Sequence, residues 1–190
     1  TLISAKSHIT SITGTDISLS ATSGVYTISA TSTVLTGAGK LAVGDLITVS
    51  GSASNNSTFT VNTVVSTTEL TVAEVITSEN ADGSSTITLD HVGFVSDKAK
   101  GDGYYSQPDG VHTVAYQVAN DFNADATIKM QGTLATTPTE DDWFDIANTT
   151  FTSDTSTLTS SFNFTGNYVW VRSKTQLLTA GTTNSILLNS

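Results

Sequence analysis

The stretch Ala126-Thr127-Ile128-Lys129-Met130-Gln131-Gly132-Thr133-Leu134 decides the fold class. Ala126, Ile128, Met130, Gly132 and Leu134 fall on one side of a two-residue period, and Thr127, Lys129, Gln131 and Thr133 on the other. That pattern is a β-strand with one face in a core and one face polar. The same period recurs outward in both directions: in Val114, Tyr116 and Val118 before it, and over 143–147, 157–164, 167–175 and 183–189 after it. Toward the N-terminus it recurs over 25–30, 46–50, 58–65, 69–76 and 85–92, each run bounded by Gly, Asn, Asp or Ser. Phe59, Val61, Thr63 and Val65 share one face, Leu70, Val72, Glu74 and Ile76 share the next, and Ser66-Thr67-Thr68 between them reads as a short hairpin loop. No helical stripe longer than a turn or two interrupts the pattern, so the chain is all-β.

Between residues 93 and 110 the alternation stops. Gly93, Gly101, Gly103, Pro108 and Gly110 punctuate a polar run around Tyr104-Tyr105, which reads as a joint. The sequence therefore divides into an N-terminal β-domain over 1–92, a small barrel or sandwich, a Gly-rich joint over 93–110, and a C-terminal antiparallel β-sandwich, jelly-roll-like, over 111–190.

Composition narrows the function. The chain has 190 residues, 13% charged, with seven Lys plus Arg against seventeen Asp plus Glu and a net charge of −10. The N-terminal domain carries −5, the joint −1 and the C-terminal domain −4, so neither half is a basic arm. Such a field repels phosphate backbones, and nucleic acid is not expected as a partner. With no cysteine there is no disulfide and no thiolate metal site. No run approaches the ~18 apolar residues of a spanning helix, so no membrane is expected, and residues 1–6 lack the pattern of an export signal.

Catalytic chemistry finds little footing. His8, His91 and His112 are the only histidines, and none neighbours a Gly-x-Ser-x-Gly elbow. His91 alternates with Ile87 and Leu89, and His112 with Val114 and Tyr116, which places both on strand faces as packing or interface residues. Glu140-Asp141-Asp142-Trp143 with Asp145 is the densest acidic cluster. It has the residue types of a glycosidase pair, but reads more simply as a solvated loop entering a strand. The run 97–103 puts Lys98 and Lys100 where an EF-hand needs ligands, and Gly37-Ala38-Gly39-Lys40 lacks the spacing and the helix of a P-loop. The expectation is a protein without enzymatic activity, cofactor or metal.

The candidate interface is in 167–174. If Val169 and Val171 face the core, then Tyr168, Trp170, Arg172 and Lys174 stand outward in one row, the residue types that dominate binding hot spots. The reverse polarity, with the aromatics inside, stays open.

Gly44-Asp45-Leu46-Ile47-Thr48-Val49-Ser50-Gly51, Asn55-Asn56, Phe59-Thr60-Val61 and Thr68-Glu69-Leu70-Thr71-Val72 together resemble a small β-domain of tailed-phage virion proteins. Residues 126–132, Trp143-Phe144-Asp145-Ile146 and 162–172 are similar to the C-terminal β-domain of structural proteins from marine T4-like phages, cyanophages included. The resemblance implies a virion structural protein: a capsid decoration, head-fibre or tail-associated part, made in the host cytoplasm. It would bind other virion proteins, and the outward aromatic row with the need for multivalent attachment points to a homo-oligomer, a trimer. The alternative is a carbohydrate-binding module or adhesin domain using Tyr168, Trp170 or Trp143 as sugar platforms.

Overall fold

A computed structural model describes residues 1–105, 110–153 and 158–189. Pro108 of the expected joint and the first residue of the strand expected over 157–164 lie outside the described residues. The described chain is all-β. In order its strands are β1 (Lys6–Ser7), β2 (Ile12–Gly14), β3 (Ile17–Thr22), β4 (Val25–Ala30), β5 (Asp45–Ser50), β6 (Thr58–Ser66), β7 (Glu69–Val72), β8 (Ile87–Val95), β9 (Ala99–Lys100), β10 (Val111–Val118), β11 (Thr127–Thr133), β12 (Phe144–Asp145), β13 (Phe151–Thr152), β14 (Thr159–Thr165), β15 (Trp170–Gln176) and β16 (Thr182–Asn189). Two single turns of 3-10 helix, Asp102–Tyr105 and Glu140–Asp142, complete it. The chain divides into two compact units, Ile9–Val92, and Thr1–His8 with Gly93–Ser190.

The Ile9–Val92 unit is an open antiparallel sheet in the order β2, β8, β5, β6, β7, β4, β3. Among the described residues it does not close, so the barrel half of the sequence expectation gives way to open sheets: β3 pairs with β4 alone among the strands. One face supplies the core. Ile17 and Leu19 of β3, Ile28 of β4, Ile47 and Val49 of β5, Phe59 and Val61 of β6, and Leu70 and Val72 of β7 are all buried. The sequence reading placed no strand before Val25. β3 is nevertheless a regular alternating strand, joined to β4 by Ser23-Gly24 with φ of 52° and 78°. Two consecutive positive φ angles are the mark of the hairpin turn whose twist matches its strands. β6 departs from expectation at its far end: Val64 and Val65 are 43% and 57% exposed, because the ladder to β7 shifts register between Val61 and Thr63 and again between Val64 and Ser66. Each bulge costs the strand its strict alternation.

The second unit is an antiparallel sandwich. One sheet runs β1, β16, β10, β14; the other runs β12, β11, β15 and the last three residues of β8, with β13 on β11 and β9 on β15. Thr1–His8 belongs here because β1 pairs with β16 and Ile3 bridges Ile186. Val114, Tyr116, Phe164 and Ile186 from the first sheet meet Phe94, Ile128, Met130 and Val171 from the second, all buried in one core. Tyr116 is fully buried and donates to the Thr149 carbonyl at 2.9 Å; burial pushes its phenol well above the ordinary value. Gly93 sits at φ 152°, where a Cβ would fall 2.0 Å from the Thr175 carbonyl oxygen. Only glycine allows β8 and β15 to approach so closely there.

Candidate functional site

In the second unit β11 and β15 pair in a register that opposes Lys129 to Lys174, Gln131 to Arg172 and Thr133 to Trp170. Ile128, Met130 and Val171 point into the core. The pleat therefore gathers Lys129, Gln131, Trp170, Arg172 and Lys174 on the opposite face. The polarity read from the sequence holds along β15, but the face is not bare. Arg172 is only 5% exposed, because the segment after β11 folds back over it.

That return is made locally. Thr139 and Asp142 form a reciprocal capping box around the short helix Glu140–Asp142, and β12 then pairs with β11, setting Asp145 opposite Gln131. The turn delivers Glu140 to Arg172 in a two-pronged ion pair, 2.8 Å from Nη1 and 2.7 Å from Nη2. The Arg172 Nε donates to Gln131 Oε1 at 3.0 Å, and its guanidinium lies 4.2 Å from the centre of the Trp143 ring. Asp145 accepts from Lys129 at 2.5 Å and from Gln131 Nε2 at 3.0 Å. Burial pushes the Asp145 carboxyl up, but the bonds from Lys129 and Gln131, with the charges of Lys129 and Lys174, outweigh it and hold the group below the usual carboxylate range. The acidic cluster read as a solvated loop thus contains two built positions, Glu140 and Asp145. Asp141 stays exposed.

Past Arg172, the aromatic and cationic groups continue. Trp170 donates Nε1 to the Thr136 carbonyl at 3.0 Å. Lys98 Nζ lies 4.5 Å from the Trp170 ring centre, and Tyr104 contacts the same ring at 4.8 Å. Lys100, opposite Trp170 in the β9–β15 pair, stands 4.2 Å from the ring of Tyr104 and 5.4 Å from that of Tyr105. Tyr104 and Tyr105 are 43% and 57% exposed. Trp143 with Arg172, and Trp170 with Lys98, Tyr104, Lys100 and Tyr105, therefore set rings and cations along one band, with attraction at each ring–cation contact.

Tyr168 leaves the row. Regular pairing begins only at Trp170, and the Tyr168 ring swings to the other side, where Gly132 and Gly166 make room. A Cβ on Gly132 would lie 2.6 Å from the ring, and one on Gly166 2.4 Å. There Tyr168 neighbours Phe144 and Phe164, with ring centres 5.9 and 6.3 Å away. It lines an open cavity of about 300 Å³ with Asn148, Asn163, Thr165 and Phe164. The structure thus groups Trp170, Arg172 and Lys174 and separates Tyr168. The room for it comes from Gly132 on β11 and from Gly166 in the loop before β15, which no periodicity in 167–174 records.

Lys174 is half-buried. Burial lowers the pKa of its ammonium first, the Arg172 and Lys129 charges lower it further, and Glu140 and Asp145 oppose them.

The histidines lie elsewhere. His91, 2% exposed, accepts the Ile9 N–H at Nδ1 and sets Nε2 3.4 Å from the buried Asp45 carboxylate. His112, 1% exposed, stacks on Phe164 and has Nε2 3.3 Å from Asp102. Both are buried on strands; His8 is half-buried. Among the described residues no group of three His, Cys, Asp or Glu side chains is placed to hold a metal ion.

No family model, no curated protein and no solved structure matches this chain.

Proposed function

We propose that this chain is a non-catalytic structural component of a tailed-phage particle, a capsid decoration, head-fibre or tail-associated protein that works through contacts with other virion proteins and with copies of itself. One observation carries the docking role: the band of rings and cations from Trp143 to Tyr105, with a rigid centre at Arg172 and an exposed end at Tyr104 and Tyr105. Trp, Tyr and Arg held in fixed orientation bury large area at small entropic cost when a partner covers them. The assignment to a phage particle rests on the turn and strand motifs of the sequence. The compact β units agree with it.

The test is direct. Particles purified from an infected host are expected to contain the chain at a fixed ratio to the capsid or tail protein by mass spectrometry, and Trp170→Ala with Tyr104→Ala should lower that ratio. Light scattering on the isolated chain should give a multiple of 19.7 kDa, three times that mass for the trimer. Absence from purified particles overturns the proposal.

The cavity beside Tyr168 favours a second reading, sugar binding, since an aromatic ring with two amide side chains, Asn148 and Asn163, suits a pyranose. Glycan-array binding lost in Tyr168→Ala and kept in Trp170→Ala would support it over the first.

A further inference from the structure

The chain has seven Lys and Arg residues, and five of them, Lys98, Lys100, Lys129, Arg172 and Lys174, fall on or beside β9, β11 and β15 in one unit of a strongly acidic protein. Within that group the anions are already used. Glu140 is held by both terminal nitrogens of Arg172 and Asp145 by Lys129. Lys174 makes no ion pair among the described residues. It also stands directly across the ladder from Lys129, a like-charge pairing that destabilises a sheet. Its half-buried ammonium feels the charges of Arg172 and Lys129, and the two carboxylates that offset them, Glu140 and Asp145, are each already bonded to one of those cations.

Folding does not require this. A methionine at 174 would keep the apolar stem on the sheet and remove both the repulsion and the desolvation. A local rule broken with only shared compensation, from carboxylates already bonded to Arg172 and Lys129, marks a position held for something outside the fold.

We propose that Lys174 and Lys129 form a carboxylate-receiving site, and that its occupant is a short acidic segment of a partner protein laid along the face of β11 and β15. It rests on the reading of this face as a protein-docking surface and names the chemistry of the partner. Residues directly opposed on neighbouring strands stand about 5 Å apart at their Cβ atoms, so both lysine stems rise from one spot that carboxylates on an extended peptide can reach. A long polyphosphate would suffer the field of the net −10 over its whole length; a segment with few charges engages only the local cations. Binding supplies the counter-charge that Lys174 lacks and cancels its repulsion with Lys129.

The experiment uses the full chain and a capped hexapeptide of alternating alanine and glutamate, with lysine side-chain NMR and urea denaturation as readouts. The peptide should shift the Lys174 ammonium resonance and move its titration to higher pH. Lys174→Met should bind at least about tenfold more weakly, the loss of one charge-assisted contact, while being more resistant to urea than the parent. Lys40→Met, in the other unit, should change neither. A lysine that serves only packing would give a Lys174→Met protein no more stable than the parent, and that result overturns the proposal, as does unchanged peptide affinity. Equal binding of inorganic phosphate with the same dependence on Lys174 overturns the commitment to an acidic peptide. If Lys174→Met enters particles as the parent does, this site is refuted and the assembly reading stands. If the chain is absent from particles but the peptide binds through Lys174, the reverse holds.

Discussion

Removal of the Arg172 guanidinium is the sharpest probe of the second unit. In Arg172→Met the side chain keeps its stem over the sheet and loses the two bonds to Glu140, the bond to Gln131 and the stack on Trp143. Breaking a fully buried ion pair from one side costs about 3–5 kcal/mol. Here Arg172 is 6% and Glu140 26% exposed in the side chain, so Glu140 recovers part of its hydration and the figure is discounted to about 2–3 kcal/mol. Arg172→Lys keeps the charge but cannot present a planar fork, and should cost about 1–2 kcal/mol. Glu140→Gln leaves a buried cation half-neutralised, at about 2 kcal/mol. Because the partners are lost together, the double variant should fall short of the sum by about 1.5 kcal/mol. Both tryptophans, Trp143 and Trp170, lie in this unit, so their fluorescence during urea unfolding reports it without interference from the other. With a slope of about 1.5 kcal/mol/M, Arg172→Met should move the midpoint by roughly 1.5–2 M. A coupling within about 0.3 kcal/mol of zero, or an Arg172→Lys protein as stable as the parent, would refute the argument that the fork and its partners act as one unit.

Three further outcomes follow from particular contacts. Tyr116→Phe should cost about 1–2 kcal/mol in the same urea assay, because the buried Thr149 carbonyl loses its donor while the ring volume is kept. Gly132→Ala should cost about 1–3 kcal/mol through its clash with Tyr168, and Gly132→Ala with Tyr168→Ala should cost less than the two changes summed; simple addition would show that the ring does not rest there. Acid should weaken the Ile9–Val92 unit. Asp16, bound by the hydroxyl and N–H groups of Thr33 and Ser32, Asp82, bound by Ser85 and Ser84, and Glu79, bound by Ser52 and Ala53, are all held below the carboxylate range. Depressed carboxylates stabilise above their unfolded values and lose that contribution as protons bind, so far-UV circular dichroism should show stability level near neutrality and falling from about pH 5 downward. Asp16→Asn should flatten that fall, and an unchanged acid profile would count against the assignment.

How far the strands were legible depends on where the alternation is enforced. β10 follows its two-residue period because one face is wholly buried. β3 carries the same signal in Ile17 and Leu19, and the Ser23-Gly24 turn after it could have disclosed the hairpin. Polar Ser and Thr at its other positions weaken that signal. β7 ends at Val72, short of the run that extends to Ile76, because Glu74 turns back to bond the Thr60 backbone and hydroxyl at 2.7 Å each. The division of the chain was open to a different limit. Nothing in 1–8 announces that Lys6 and Ser7 pair with Thr183 and Thr182, since strand pairing across such a separation leaves no mark in local pattern.

The candidate site was legible as a list of residue types and not as an arrangement. The period of β15 correctly opposed Val171 to Trp170, Arg172 and Lys174, but period alone cannot say what lies over a face. Glu140 is 32 positions from Arg172 and Gln131 is 41, and their meeting depends on the register of β11 against β15 and on a capped turn between them. Charge arithmetic hid the same fact. Three basic residues spread over 111–190 look like a thin scatter, until register places Lys129 beside Lys174 and Gln131 beside Arg172, and β9 brings Lys100 to Trp170. A chain of net −10 thereby gathers five of its seven cations in one unit, only two of them, Lys129 and Arg172, in ion pairs among the described residues, and at contact distance such a local balance weighs more than the net charge.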